Sequence, residues 1–214
     1  MPKAARNGAE VSGVKGRILD TALQLLIDDG FVHFSMRRLA AKLGMTAANI
    51  YNYYRNKDEL YLRIQTRGFE MLSERFAKAD NRTLPVNKRI LGMMRAYIDF
   101  GVHNPEYYEI MFSRNTPKYA DYVGTDMEPV AFHEKQTALK AAELTLAVFA
   151  ELGMEADEAR FRLIQVWSML NGIVNLYNSR VLQEVDDHAE QTMDRMVAEL
   201  MLPFKALRKE KNPR

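Results

Sequence analysis

Residues 35–60 constrain the fold of this chain more than any other stretch, because they contain three helix starts within about two dozen residues. Ser35 can cap a first short helix, predicted over Met36–Leu43, and Gly44 can take the left-handed conformation that ends it. Thr46 can cap a second helix. Two short helices across a tight turn that contains glycine predict a helix-turn-helix, whose second helix fits a DNA major groove. The same geometry also occurs in helical hairpins that never meet DNA.

The predicted second helix, Ala47–Tyr53, carries side chains suited to reading DNA. Asn49 and Asn52 bear amides, and an amide can form two hydrogen bonds with adenine. Ile50 and Tyr54 are expected to face the core instead. The candidate DNA-binding residues combine the caps, the basic residues and the exposed positions of this region. They are Ser35, Arg37, Arg38, Thr46, Ala47, Ala48, Asn49, Tyr51, Asn52, Tyr53 and Lys57.

Two further helices complete the predicted head. Asn56, with Glu59 three residues later, has the spacing of a capping box and predicts a long helix from Lys57 to about Lys78. Val14–Asp28 has apolar residues along one stripe and is predicted to brace the helix-turn-helix. No linker rich in Pro, Gly or Ser separates the head from the rest, so the long helix should join them directly.

Phosphate contacts are expected from the tyrosines and lysines around the second helix. Tyr51, Tyr53 and Lys57 lie where they can position the head on a DNA backbone. Lys15 and Arg17 are also placed to reach phosphates, with a solvated basic face as the alternative.

The stretch from about Gly16 to Leu62 resembles the N-terminal DNA-binding signature of TetR-family transcriptional regulators. Tyr54 departs from the signature, because family members more often carry Phe there. The resemblance implies a ligand-responsive regulator that binds a double-stranded DNA operator, with repression as the usual mode. The matching positions are Ser35, Leu39-Ala40, Gly44-Met45-Thr46, Ile50-Tyr51, Tyr53-Tyr54 and Lys57-Asp58-Glu59-Leu60.

The distribution of charge supports this reading. Residues 1–67 hold 11 Lys and Arg against 6 Asp and Glu, whereas the remainder holds 19 against 22, so a basic first third precedes a slightly acidic body. The absence of cysteine excludes disulfides and thiolate metal sites, and it fits a cytoplasmic protein. No apolar run is long enough to span a membrane, so no membrane partner is expected.

We therefore predict an all-α chain, in which a three-helix helix-turn-helix DNA-binding head is joined by a long helix to a helical ligand-binding and dimerisation domain. The predicted divisions are a mobile arm (1–12), the helix-turn-helix domain (13–60), the effector-binding and dimerisation domain (61–208) and a tail (209–214).

The body is predicted to be helical, with a lid or surface loop over Ser113–Pro129 that includes one helical turn. Two of its helices, Lys135–Leu152 and Ala156–Leu182, have more apolar surface than one chain can cover. They predict a homodimer held by a four-helix bundle. The other predicted helices are Pro85–His103, Glu106–Phe112 and Asp187–Leu207.

Two segments, Ala96–Ser113 and Val166–Val174, resemble the C-terminal ligand-binding domain of a TetR subset that often has a Trp-His-Gly pattern. Trp167 and Gly172 match the pattern, whereas Asn171 replaces its His; the glycine is expected to let helices approach closely. Soft and aromatic side chains with a few polar groups suggest an apolar effector pocket, with ordinary core packing as the alternative. The candidate residues are Met94, Tyr97, Tyr107, Tyr108, Met111, Phe112, Trp167 and Asn171.

The sequence argues against an enzyme and indicates no cofactor. It has no Gly-rich phosphate loop and no serine elbow. His133-Glu134 opens like a zinc-protease motif, but Thr137 stands at the second His position, so no metal site is expected. The alternative function is a helical adaptor that binds only protein. That alternative leaves the basic head unexplained, and salt-dependent DNA binding would exclude it.

Overall fold

The computed structural model describes residues 8–113 and 116–204, except for the side chains of Asp29, Phe31, Val32 and Ser113. Every regular element within these ranges is helical, which confirms the predicted all-α fold. The α-helices are α1 (Gly8–His33), α2 (Met36–Lys42), α3 (Ala47–Tyr51), α4 (Lys57–Ala79), α5 (Val86–His103), α6 (Pro105–Tyr108), α7 (Glu128–Glu151), α8 (Ala156–Asn178), α9 (Val181–Val185) and α10 (Ala189–Leu200). A π-helical turn, Glu109–Ser113, follows α6, and a 3₁₀ turn, Tyr119–Tyr122, precedes α7.

The helices divide between two compact units. The first unit comprises residues 1–67 and 109–135, and the second comprises 68–108 and 136–214. Helices α4 and α7 each begin in the first unit and end in the second. The boundary that we placed at residue 60 stays a prediction, although residues 109–135 group with the head in one compact unit.

The first unit is built on a three-helix core. Ile18, Leu39 and Ile50, one from each of α1, α2 and α3, are completely buried. Leu62 of α4 is also fully buried, and it packs in a second cluster with Tyr122, Met127 and Ala131. This cluster explains why residues 109–135 belong to the first unit.

Helix α1 is longer than the sequence indicated. It begins at Gly8, so it includes residues 8–12 of the predicted mobile arm, whereas residues 1–7 lie outside the described range. Gly30 has a φ of 73°, a left-handed conformation that interrupts the helix two residues after its predicted end at Asp28.

Helix α7 begins at Glu128, seven residues before the predicted start at Lys135. The Glu128 carboxylate accepts hydrogen bonds from the Gly124 N–H at 2.8 Å and from the Tyr119 hydroxyl at 3.0 Å, which fixes the turn that leads into the helix. Pro129, which we interpreted as a loop residue, lies in the first turn of α7, where proline lacks no necessary hydrogen bond.

The second unit contains α5, α6, α8, α9 and α10 together with the later parts of α4 and α7, and α5 packs extensively against α8 within it. Phe100, Ile173 and Val174 are almost completely buried there. Helix α8 ends at Asn178 and not at the predicted Leu182, because Arg180 takes a left-handed conformation with a φ of 63°. Helix α10 ends at Leu200, residue 201 forms a turn and residues 202–204 are helical again, whereas the predicted end at Leu207 lies outside the described residues.

A buried arginine at the start of α5 forms ion pairs with two carboxylates of the second unit. The Arg89 side chain is only 4% exposed, and its Nε donates to Asp80 Oδ1 at 2.6 Å. Its Nη1 and Nη2 donate to the two carboxylate oxygens of Glu151, at 2.5 and 2.9 Å. Bidentate pairs of this kind are among the strongest side-chain contacts, so Arg89 links α5 to the end of α7.

Candidate DNA interface and candidate effector site

The turn of the helix-turn-helix has the geometry that its residues predict. Gly44 has a φ of 63°, and the Met45 N–H donates to the Ala40 carbonyl at 2.9 Å. The Thr46 hydroxyl then caps α3 by accepting from the Asn49 N–H at 3.2 Å. Ser35 caps α2 in the same way, through the Arg38 N–H at 3.3 Å.

Helix α3 presents one face to solvent and the other to the core. Ile50 is completely buried, as predicted. Ala48, Tyr51 and Asn52 are exposed, and their spacing of three and four residues places them on one face. Asn49 is half-buried. The two candidate asparagines therefore differ in exposure, and Asn52 is the one that lies on the exposed face.

The remaining candidate DNA-binding residues come before and after these positions in the sequence. Arg37, Arg38 and Lys57 are exposed, whereas Ser35, Ala47 and Tyr53 are half-buried. The three exposed cations suit contacts to phosphate oxygens, which position a protein without reading bases.

Tyr54 shows what the departure from Phe adds. Its ring is buried, as predicted, and its hydroxyl donates to the Lys15 backbone carbonyl at 3.1 Å. The Lys15 ammonium lies 5.8 Å from the centre of the same ring. Burial raises the pKa of Tyr54 to about 12, so the hydroxyl stays a donor. Tyr54 thus fastens α1 to the end of the helix-turn-helix, which a phenylalanine could do only through packing.

The predicted capping box at α4 is present in a shifted form. Asn56 Oδ1 accepts from the Glu59 N–H at 2.9 Å, as a capping box requires. The Glu59 carboxylate accepts from the Arg55 N–H at 2.8 Å, one residue before the expected donor.

Sequence reasoning missed Arg55. Its Nη1 donates to the Asp126 carbonyl oxygen at 2.7 Å and lies 3.3 Å from Asp126 Oδ2. Asp126 is 71 residues away in the chain, and no local pattern could have revealed this partner.

In the second unit, four of the candidate effector residues form a chain of hydrogen bonds. The Trp167 Nε1–H donates to the Tyr97 hydroxyl oxygen at 2.9 Å, and the two tyrosine hydroxyls are 3.2 Å apart. Asn171 Oδ1 is a pure acceptor, so the Tyr108 hydroxyl must donate to it. Tyr97 therefore donates to Tyr108, and the chain runs from tryptophan through both tyrosines to the amide.

Burial keeps both tyrosines in this chain neutral. It raises the pKa of Tyr108 to about 12 and that of Tyr97 further. Tyr97 and Tyr108 are almost completely buried, whereas Trp167 is 44% exposed and Asn171 is half-buried. Asn171, which replaces the expected His, therefore has a defined contact as the acceptor at the end of the chain.

The other candidate effector residues are distributed over both units. Met94 is buried and Tyr107 is half-buried in the second unit. Met111 and Phe112 lie on the π-helical turn, which belongs to the first unit. The assignment of all eight residues to one pocket stays a prediction.

An open surface depression of about 420 Å³ lies along α1 in the first unit. Glu10, Gly13, Val14 and Arg17 line it, and it shares no residue with the candidate effector site.

The close approach that we assigned to Gly172 is instead made by Gly101. A Cβ at Gly172 would have nothing within 4 Å in the protomer, so our interpretation of Gly172 is wrong within one chain. A Cβ at Gly101 would lie 2.5 Å from Val174 Cγ1. Gly172 lies on the outward side of α8, away from the buried stripe.

Helix α8 also carries large apolar side chains that the protomer leaves uncovered. Phe161, Ile164, Met169 and Leu176 are each more than two fifths exposed. Leu139 of α7, in the same unit, is 47% exposed. Exposed apolar residues concentrated on one helix are typical of a surface that a partner covers.

Neither a metal site nor a membrane span is found in the part of the chain that the structure describes. No group of three or more His, Asp or Glu residues there is arranged to hold a metal ion. None of its helices is long and apolar enough to cross a membrane.

Two family models match this chain. Residues 18–64 match the model of the bacterial regulatory proteins of the tetR family, and residues 90–200 match the tetracyclin repressor-like C-terminal domain. Together these matches cover the helix-turn-helix and most of the helical body.

Similar proteins include two mycobacterial regulators and one solved structure. The HTH-type transcriptional activator FasR of Mycolicibacterium smegmatis is 27% identical over 150 residues, which cover 68% of this chain and 64% of FasR. The match therefore spans less than two thirds of FasR. The uncharacterized HTH-type regulator Rv0681 of Mycobacterium tuberculosis is 25% identical over 175 residues, which cover 80% of this chain and 73% of that protein.

The regulatory protein SCO4313 has a similar fold, with a TM-score of 0.73, 16% identity, and coverage of 92% of this chain and 98% of that one. The helix-turn-helix geometry, the all-helical body and the two family matches agree with one another. The chain belongs to the TetR family of transcriptional regulators, whose helix-turn-helix binds DNA.

Proposed function

We propose that this chain acts as a homodimeric repressor that a small, largely apolar effector releases from its operator. The observation that carries the proposal is the exposed face of α3, which presents Ala48, Tyr51 and Asn52 to solvent from a rigid, capped turn. A short helix fixed in this way can enter a major groove and bring an amide to base edges.

The proposed roles at the DNA differ between side chains. Asn52 reads a base, because its amide can donate and accept at once. Lys57 and Tyr51 contact phosphates, together with Arg37 and Arg38, and so fix the position of α3 without reading sequence.

The proposed dimer uses the exposed face of α8, including Phe161, Ile164 and the open position at Gly172. Two such helices, each with a neighbour, form a four-helix bundle between subunits. The two heads would then read half-sites about 34–36 Å apart, or a multiple of that distance. Light scattering should give a molar mass about twice the 24.7 kDa of one chain. A stable monomer at micromolar concentration would contradict the proposal.

The proposed effector site includes the hydrogen-bonded chain of Trp167, Tyr97, Tyr108 and Asn171. Buried aromatic rings beside a few polar groups suit a ligand with a mostly apolar body and one or two polar atoms. We also propose that the C-terminal domain belongs to the Trp-His-Gly subset, with Asn171 in the position of the His. Native mass spectrometry of the purified protein can identify a small molecule that copurifies with it.

The proposed switch depends on the two helices, α4 and α7, that continue from one unit into the other. If effector binding and DNA binding favour different arrangements, each must weaken the other by the same factor, typically worth about 1–3 kcal/mol. Calorimetry of the copurifying molecule, with and without operator, tests this reciprocity. Equal affinities in both titrations would exclude the switch.

The sign of regulation needs its own test, because the similar protein FasR is an activator. A reporter gene placed behind the selected operator should be less active when this chain is expressed. Higher reporter activity would overturn repression and leave DNA binding intact.

A further inference from the structure

Arg55 lies in the turn between α3 and α4, within the candidate DNA interface. Its neighbours Tyr53 and Lys57, two residues away on either side, are both candidate phosphate contacts. Its guanidinium nevertheless contacts Asp126, through the carbonyl oxygen at 2.7 Å and the carboxylate at 3.3 Å. The pair thus places an acidic residue at the edge of a surface that should receive DNA.

The turn that carries Asp126 is fixed by contacts of its neighbours. The next residue, Met127, is buried in the cluster around Leu62 of α4. The Thr125 hydroxyl accepts from the Met127 N–H at 3.2 Å and donates to the Tyr122 carbonyl at 2.8 Å. The carboxylate is therefore presented to Arg55 by an ordered turn and not by a loose loop.

We propose that Asp126 competes with DNA phosphate for Arg55. In the free protein the carboxylate and carbonyl of Asp126 engage Nη1 of the guanidinium, and DNA binding transfers this group to a backbone phosphate. This inference rests on the proposed function, because it requires that the helix-turn-helix binds DNA.

The chemistry of the pair suits such an exchange. A guanidinium donates its N–H groups to carboxylate oxygens and to phosphate oxygens alike. The side chains of Arg55 and Asp126 are 57% and 81% exposed, so water screens the pair and little free energy opposes its separation. Asp126 therefore lowers DNA affinity in two ways, by occupying Arg55 and by repelling a nearby phosphate.

The test compares variants in their binding to a random-sequence duplex, since phosphate contacts do not depend on base sequence. Fluorescence anisotropy is measured at several salt concentrations. Asp126→Asn removes the charge while it keeps the backbone carbonyl and one side-chain oxygen as acceptors, and it should tighten binding about two- to threefold per head, in the range of exposed ion pairs. Arg55→Ala should weaken binding and reduce the salt-dependence slope by about 0.9 per head, as expected for one lost phosphate contact.

Asp121→Asn is the matched control, because Asp121 is an exposed carboxylate in the same segment. It accepts from the Lys118 N–H at 2.8 Å, and an asparagine can accept the same bond. The small effect of Asp121→Asn on DNA affinity should be equal in the wild-type and Arg55→Ala backgrounds. The extra gain from Asp126→Asn should disappear in the Arg55→Ala background.

Two results would overturn the inference while leaving DNA binding in place. One is equal gains from Asp126→Asn and Asp121→Asn in the wild-type background, and the other is unchanged affinity and salt slope in Arg55→Ala. If the wild-type protein shows no salt-dependent binding, the proposed function fails as well. Circular dichroism confirms that each variant keeps its helical content.

Discussion

Replacing Gly101 with alanine should destabilise this protein, although alanine is the better helix former. A Cβ at this position would lie 2.5 Å from Val174 Cγ1, and 2.9 and 3.0 Å from Cδ2 and Cε2 of Tyr108. Carbon atoms in contact are ordinarily about 3.5–4.0 Å apart. The added methyl group would therefore overlap both neighbours, one of them by about 1 Å.

Neither neighbour can move away easily. Val174 is completely buried, and the Tyr108 hydroxyl is held by Tyr97 and Asn171. Overpacking of a core typically costs about 1–3 kcal/mol. Removal of glycine from a helix returns about 0.5–1 kcal/mol. The net loss should therefore be up to about 2.5 kcal/mol, which lowers the melting temperature of a chain of this size by up to roughly 10 °C.

Gly92→Ala is the matched control on the same helix. A Cβ there would lie 3.5 Å from the Ala79 Cβ, an ordinary contact, so this variant should gain about 0.5–1 kcal/mol from helix propensity. Urea unfolding of both variants at one protein concentration gives the comparison, since the stability of an oligomer depends on concentration.

A double-mutant cycle identifies the clash itself. Val174→Ala removes the Cγ1 atom, so Gly101→Ala should cost less in that background, with a coupling energy of about 0.5–3 kcal/mol. The reasoning would be refuted if Gly101→Ala stabilised the protein as much as Gly92→Ala, or if the cycle showed no coupling.

Four other substitutions test the proposed DNA contacts and the buried ion pairs. Lys57→Ala should weaken binding to all duplexes alike, because a phosphate contact does not depend on sequence. Asn52→Ala should reduce the discrimination at one base pair by about 1–3 kcal/mol. If binding-site selection shows that Asn52→Ala keeps the full sequence preference, Asn52 does not read a base. Arg89→Ala should lower the free energy of unfolding by about 1–3 kcal/mol, because it leaves the mostly buried Asp80 without its partner. Arg95→Ala, in an exposed pair with Asp194, should change it by less than about 0.5 kcal/mol. Arg89 lowers the pKa of Glu151, so the part of the stability that depends on the Glu151 charge is present above the ordinary pKa of 4.5 and is lost as the pH falls from there through the lowered pKa; the urea midpoints of wild type and Arg89→Ala should therefore draw closer on acidification.

Local signals explain why the head could be predicted well. Ser35, Gly44 and Thr46 act on backbone groups within a few residues of themselves, and each takes the conformation or makes the contact that its identity favours. The identity of Pro129 did not decide its local structure in the same way, because proline suits both a loop and the first turn of a helix. Only the cluster of Met127, Tyr122 and Leu62, which joins distant parts of the chain, decides between the two.

Contacts between distant residues could not be predicted in the same way. Periodicity placed Gly172 on a helix, but it could not show that Gly101, on another helix, makes the close approach. Likewise, Tyr108 and Asn171 were both candidate effector residues, yet their hydrogen bond spans 63 residues and follows only from the crossing of two helices. Arg55 and Asp126 were missed for the same reason.

Selection of binding sites from a pool of random DNA duplexes tests the central claim most directly. The account predicts enrichment of an inverted repeat, with half-site centres about one helical turn apart or a multiple of it, because two identical heads related by a two-fold axis must read two identical half-sites. Affinity for the selected duplex should also fall linearly with the logarithm of salt concentration. If no sequence is enriched, and binding to duplex DNA is absent or independent of salt, then this chain does not act as a DNA-binding regulator.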